Sequence, residues 1–198
     1  MIILSVDPGT AGGICVCDNG VTRAHGMPAT EGDILVLIRN ATATTGPGVA
    51  YMEEIVKHMG LGIPASTMAV YASNYGFMKG ALMMAGWRLE LVRPQVWQKE
   101  LGLGITGRQK ANIKGMTKAQ ANVEKARIRK INSGLKRDWK NKLKSTAQRL
   151  FPDIEVTLET SDALLILRYG QLREGHNVPR PVPLNPVVVA GGVQEKLL

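Results

Sequence analysis

The stretch Ile2-Ile3-Leu4-Ser5-Val6-Asp7-Pro8-Gly9-Thr10-Ala11-Gly12-Gly13 decides the reading of this 198-residue chain. Residues 2–7 form an apolar run that ends on a carboxylate. Such a run reads as a buried strand that opens into a Pro-Gly turn. Gly9, Gly12 and Gly13 let backbone and substrate come close to Asp7.

Working outward, residues 12–17 and 21–27 read as a hairpin around Asp18-Asn19-Gly20, because Asn-Gly suits a type I′ turn. Residues 31–41 place Ile34, Leu35, Leu37 and Ile38 at helical spacing. Residues 49–53 form another strand, which ends on Glu53. A loop is expected at Gly60–Pro64, a Met-rich helix at about Ser66–Ala85, and a strand at 87–92. A short helix follows Pro94, and residues 102–117 are Gly-rich and basic. Helices are expected at 118–131, 136–150 and 159–173. This order predicts a mixed α/β sheet with helices on its faces. From Asn177 onward the chain holds four prolines and reads as a tail without its own core. The expected organisation is a domain over 1–175, with a basic segment at about 105–149, and a Pro-rich tail at 176–198.

Four acids then stand out at element ends: Asp7, Glu53, Glu159 and Asp162. An unpaired carboxylate at the end of a hydrophobic strand costs several kcal/mol when buried. Acids at three such places ask for a shared cation. Glu159 and Asp162, at i and i+3, are expected on one helix face in the first turn, where the helix dipole favours anions. Mg²⁺ suits this set, because it prefers oxygen ligands and takes one or two carboxylates. Two such ions about 4 Å apart activate water and stabilise the leaving oxygen in phosphodiester hydrolysis.

The net charge of +9 points to a polyanionic partner. It is concentrated: Arg108 to Arg149 holds 14 Lys and Arg against two acids, Glu124 and Asp138, and the rest of the chain is mildly acidic. Arg108, Lys110, Lys114, Lys118, Lys136, Arg137, Lys140, Lys142 and Lys144 are the candidate DNA contacts, mainly to backbone phosphates. Trp97 reads as core, and Trp139 as core or a base-stacking surface. The Met-rich helix reads as core or dimer surface. His25, His58 and His176 show no ligand spacing, and Cys15 and Cys17 read as small buried side chains. No membrane span, secretory signal or small-molecule cofactor is expected, and a reducing cytoplasm fits.

These residues together resemble the RuvC family of Holliday junction resolvases, within the RNase H-like superfamily. The matching residues are Ile3 to Gly13, the strand end Met52-Glu53, and Ser161-Asp162-Ala163-Leu164-Leu165. Ser73-Asn74-Tyr75-Gly76, Arg93-Pro94-Gln95-Val96-Trp97 and Ala147-Gln148-Arg149-Leu150-Phe151-Pro152 are similar to phage and bacterial members. The resemblance implies an RNase H-like fold with a five-stranded sheet, Mg²⁺-dependent cleavage of branched DNA (Mn²⁺ substituting), and a homodimer. It also implies that Asp7 bridges two metals, with Glu53 on one and Glu159 and Asp162 on the other side. Glu53 is preferred to Glu54, because an acid, a variable residue and an aliphatic match Glu53-Glu54-Ile55. The family's phosphate-side lysine falls on Lys140 or on its neighbours Lys142 and Lys144. The family's aromatic wedge is not matched, since Val56 stands there, and family members carry Asp or His where this chain has Glu159.

Other functions stay open at this level. They are an RNA–DNA hybrid or flap nuclease of the same fold, a sugar-kinase or actin-like ATPase, and a non-catalytic binder of branched DNA. Asp7-Pro8-Gly9-Thr10 also resembles the ATPase phosphate loop, but the chain is too short for a second nucleotide-binding lobe.

Overall fold

A computed structural model describes residues 1–42, 46–55 and 64–175. Most of the expected Gly60–Pro64 loop, Val56, His58, His176 and the tail lie outside the described residues. The sheet contains β1 (Ile3–Asp7), β2 (Gly13–Asp18), β3 (Val21–Gly26), β4 (Val49–Glu53) and β5 (Arg88–Val92) in the order β3-β2-β1-β4-β5. β1, β2 and β3 run antiparallel in sequence, whereas β4 lies parallel to β1 and β5 parallel to β4. The Asn19-Gly20 corner has φ of 48° and 83°, the left-handed pair that a type I′ hairpin needs.

Strand alternation separates two cores. Leu4, Val6, Ile14, Val16, Ala50 and Met52 face α1 (Glu31–Thr42) and α2 (Ala65–Met84), where Ile34, Ile38, Met78 and Leu82 meet them. Ile3, Cys15, Cys17, Val49 and Tyr51 face the other side. There they meet α3 (Pro94–Glu100), α4 (Lys118–Leu150) and α5 (Thr160–Arg173). Both cysteines are free and buried, and burial pushes the Cys15 thiol up to about 12.

α5 is the central helix, buried on nearly all sides, as its apolar run Ala163 to Leu167 requires. The Ser5 hydroxyl donates to the Ala163 carbonyl at 2.7 Å, which ties β1 to the first turn of α5. Gly170 admits the Tyr51 ring, since a Cβ there would lie 2.6 Å from the ring. Among the described residues no helix is long and apolar enough to cross a membrane.

Two boundaries differ from the sequence expectation. The helices expected at 118–131 and 136–150 are one helix of 33 residues. Asn132-Ser133-Gly134 form helix poorly, with Gly costing about 1 kcal/mol against Ala. Tertiary contacts hold them: the Asn132 amide donates to the Gln109 carbonyl and accepts from the Gln109 N–H, both at 2.9 Å. Trp139 donates to the Leu103 carbonyl at 2.7 Å. A Thr117–Gln120 capping box starts the helix. The second difference concerns Glu159. It is the N-cap residue of α5, one position before the helix as bounded, although its backbone is itself helical (φ −74°, ψ −42°).

Candidate active site

Parallel pairing brings the carboxyl ends of β1 and β4 to the same edge. Their register runs from Ile3 opposite Val49 to Val6 opposite Met52, and the next residues are Asp7 and Glu53. The chain leaves β1 through a tight turn in which the Gly12 N–H donates to the Gly9 carbonyl at 2.9 Å. A Cβ on Gly12 would overlap the Asp7 carbonyl oxygen and come within 2.9 Å of Asp7 Cγ. Gly12 is therefore the close approach that lets the Asp7 carboxyl sit against backbone.

Asp162 enters from α5, in the first turn, and is 7% exposed. Lys140 of α4 reaches it, with Nζ donating to Oδ2 at 2.5 Å. Asp7, Glu53, Asp162 and Lys140 act on one another electrostatically. Burial first, then the Asp162 charge, raises Asp7 to about 6, against the opposing pull of Lys140 and the Gly9 N–H. Burial, then Asp7, raises Glu53 to about 8; a hydrogen bond from Trp97 and the Lys140 charge oppose this, and Asp162 adds to it. The cluster thus holds more negative charge than its one lysine compensates.

Glu53 and Glu54 separate by strand alternation. Glu53 Oε2 accepts from Trp97 Nε1 at 3.0 Å, whereas Glu54 Oε2 accepts from Arg93 Nε at 3.0 Å. Glu54 lines a separate cleft of about 480 Å³ with Arg88, Arg93 and Glu174. Trp97 is fully buried, as expected of a core residue, and is also the hydrogen-bond donor that orients Glu53. Its spacing in sequence gives no sign of that second role.

Glu159 stands apart from the other three. It is exposed, and its Oε2 lies over Gly26, 2.7 Å from where a Cβ would be. Gly26 is opposite Gly13, which is opposite Asp7. The Glu159 carboxylate therefore sits two strands from Asp7, roughly 10 Å away at ordinary strand spacing. A residue not singled out in the sequence, Tyr71 of α2, lies close enough to Asp7 and Glu53 that burial and their charges push its hydroxyl up to about 12.

Among the described residues no three His, Cys, Asp or Glu side chains are close enough to hold one metal ion between them. The donor chemistry nevertheless fits a hard divalent ion. The donors are all carboxylate oxygens, Asp7 and Glu53 are buried at a net negative cluster, and a hard ion that keeps several waters needs few direct protein ligands.

Of the candidate DNA contacts, Arg108, Lys110 and Lys114 are exposed in the segment before α4. Lys118, Lys136, Arg137 and Lys144 are exposed on α4, Lys142 is half-buried, and Lys140 is at the carboxylates. The exposed Arg137 side chain lies 3.6 Å from Asp138.

No protein-family model and no curated protein matches the chain. Solved structures do. The Thermus thermophilus RuvC in complex with Holliday junction substrate aligns at 12% identity over 89% of this chain and 98% of that chain, with a TM-score of 0.51. A second Thermus thermophilus RuvC structure aligns at 16% identity over 89% and 98%, with a TM-score of 0.48. The fold is RNase H-like: a mixed five-stranded sheet with flanking helices, matching that of the RuvC structure.

Proposed function

We propose that this chain is a divalent-metal-dependent endonuclease that cleaves four-way and other branched DNA. The observation that carries the reading is the meeting of Asp7, Glu53 and Asp162 at one edge of an RNase H-like sheet, beside a strongly basic helix. A solved structure of this fold is the Thermus thermophilus RuvC in complex with Holliday junction substrate.

Asp7, Glu53 and Asp162 are the residues that would hold Mg²⁺ or Mn²⁺. Glu159, on the Gly26 side, would reach only the rim. Bound there, the metal supplies an activated water and charge stabilisation for phosphodiester hydrolysis. Trp97 fixes the Glu53 rotamer. Lys140 holds Asp162 and carries a positive charge to where a scissile phosphate would lie. The water would attack in line and leave 5′-phosphate and 3′-hydroxyl ends.

A second copy of the chain is the proposed partner, which gives paired nicks across a junction.

A cleavage panel tests the reading. Mg²⁺-dependent paired nicking of a four-way junction is expected, with flaps and plain duplex cut less. An intact junction alongside a cut RNA–DNA hybrid would overturn it in favour of a hybrid nuclease.

A further inference from the structure

α4 carries its charges in an ordered way. At about 100° per residue, Lys118, Lys125, Arg129, Lys136, Lys140 and Lys144 fall in a strip about 100° wide along one side of the helix. Both acids of the helix, Glu124 and Asp138, lie about 160° from Lys140 on the same wheel. Glu124 is occupied by Arg127, which is also off the strip, at 2.8 Å. The strip side of the helix carries no acid, whereas the opposite side mixes both acids with Arg127, Lys142 and Arg149. Apart from the half-buried Lys140, the strip residues are all exposed. The helix's buried side chains are Ile128, Leu143, Thr146 and Ala147, so most of its burial is near its C-terminal end. One end of the strip is fixed in place, because Lys140 touches Asp162 of the carboxylate cluster. The strip is continuous only because the helix passes unbroken through Asn132-Ser133-Gly134.

We infer that this strip is a docking surface for one duplex DNA arm leading into the carboxylate site, with Lys125 and Arg129 as phosphate contacts. Lys118 lies 22 residues before Lys140, a helical length of about 33 Å. Phosphates along a strand are spaced about 3.4 Å, so the strip spans about 10 base pairs. The arm bordering the cut must therefore be double-stranded for about that length. The inference rests on the nuclease reading for the identity of the polyanion and for the place of the cut.

The test is fluorescence anisotropy with the full chain in EDTA, on a labelled 20-base-pair duplex and on four-way junctions with long or short arms. Salt is varied from about 50 to 200 mM. Lys125→Ala/Arg129→Ala should reduce the slope of log K against log salt by about 1.8, as expected for two phosphate contacts. Arg127→Ala/Arg149→Ala removes the same charge from the opposite side and should change the slope by less than half as much. Shortening junction arms below about 10 base pairs should weaken wild-type binding and leave the strip variant little changed. Equal losses in the two double variants, with circular dichroism showing α4 intact, would overturn the strip. So would tighter binding to a double-stranded RNA of equal length. If the strip variant loses helicity, Lys125→Gln/Arg129→Gln replaces it and the same criteria apply. Failed Mg²⁺ cleavage with the strip result intact removes only the nuclease reading, and normal cleavage with equal losses removes only the strip.

Discussion

The carboxylate edge of the sheet and the helix α4 are both dense in charge, yet they are built in opposite ways. At the sheet edge, Asp7, Glu53 and Asp162 are held in a packed frame by Gly12, Trp97, Ser5 and α5. Burial first, and then the neighbouring carboxylates, makes Asp7 and Glu53 hold their protons up to about 6 and 8. On α4 the charges are mostly exposed, and solvent screens them. The first region stores electrostatic strain in a rigid frame and so suits chemistry. The second holds mobile cations at little cost and so suits binding. Substitutions at the edge should therefore change stability, pH response and catalysis, whereas substitutions on α4 should change affinity and its salt dependence.

The largest expected stability effect is at the frame. Gly12→Ala would force a Cβ into the Asp7 carbonyl, and we expect a loss of about 3 kcal/mol by chemical denaturation. A loss below about 0.5 kcal/mol would show the edge to be as pliable as α4.

Next in size is the release of the cost of burying a charged Glu53 beside Asp7. Glu53 holds its proton more tightly folded than unfolded, so the folded chain binds more protons between its ordinary value of 4.5 and about 8. Metal-free stability must then fall as pH rises through that window. Glu53→Gln removes the penalty, and about 2 kcal/mol of stabilisation is expected at pH 8.5 in EDTA, with little change at pH 4. Thermal denaturation at both pH values checks this, and equal effects at both would contradict it. An added divalent ion should reverse the order, since wild type gains from it and the variant loses a ligand.

A smaller effect is expected at Trp97→Phe, which removes the donor to Glu53. About 1 kcal/mol should be lost, and the pH at which cleavage reaches half its maximum should move up, because Trp97 is one of the groups lowering the Glu53 proton affinity. An unmoved pH profile would reduce Trp97 to packing alone. The smallest effect is at Glu159→Gln. With its carboxylate over Gly26, it should alter cleavage by less than about threefold, or 0.7 kcal/mol. A loss of a hundredfold would return it to the metal ligands.

Much of this was readable from local sequence. The run before Asp7 specifies β1 and Asn19-Gly20 specifies the hairpin, whereas the choice of Glu53 over Glu54 rests on the family resemblance alone. What could not be read depends on distant contacts. Asn132-Ser133-Gly134 look like a helix break, and Gln109, 23 residues upstream, helps keep them helical. Glu159 and Asp162 look like one helical face, but the Glu159 carboxylate lies over Gly26 of β3, a placement with no local sequence signal. Tyr71 carries no local signal at all, because only the packing of α2 brings it toward Asp7 and Glu53.

The central claim is that Asp7, Glu53 and Asp162 act together as a metal-dependent cleavage site. Its most direct test is nicking of a four-way junction with Mg²⁺ by wild type and by Asp7→Asn, with junction binding measured in parallel. A cleavage loss of at least about a thousandfold, roughly 4 kcal/mol, with binding within about twofold of wild type, is the predicted result. Unchanged cleavage by Asp7→Asn would contradict it.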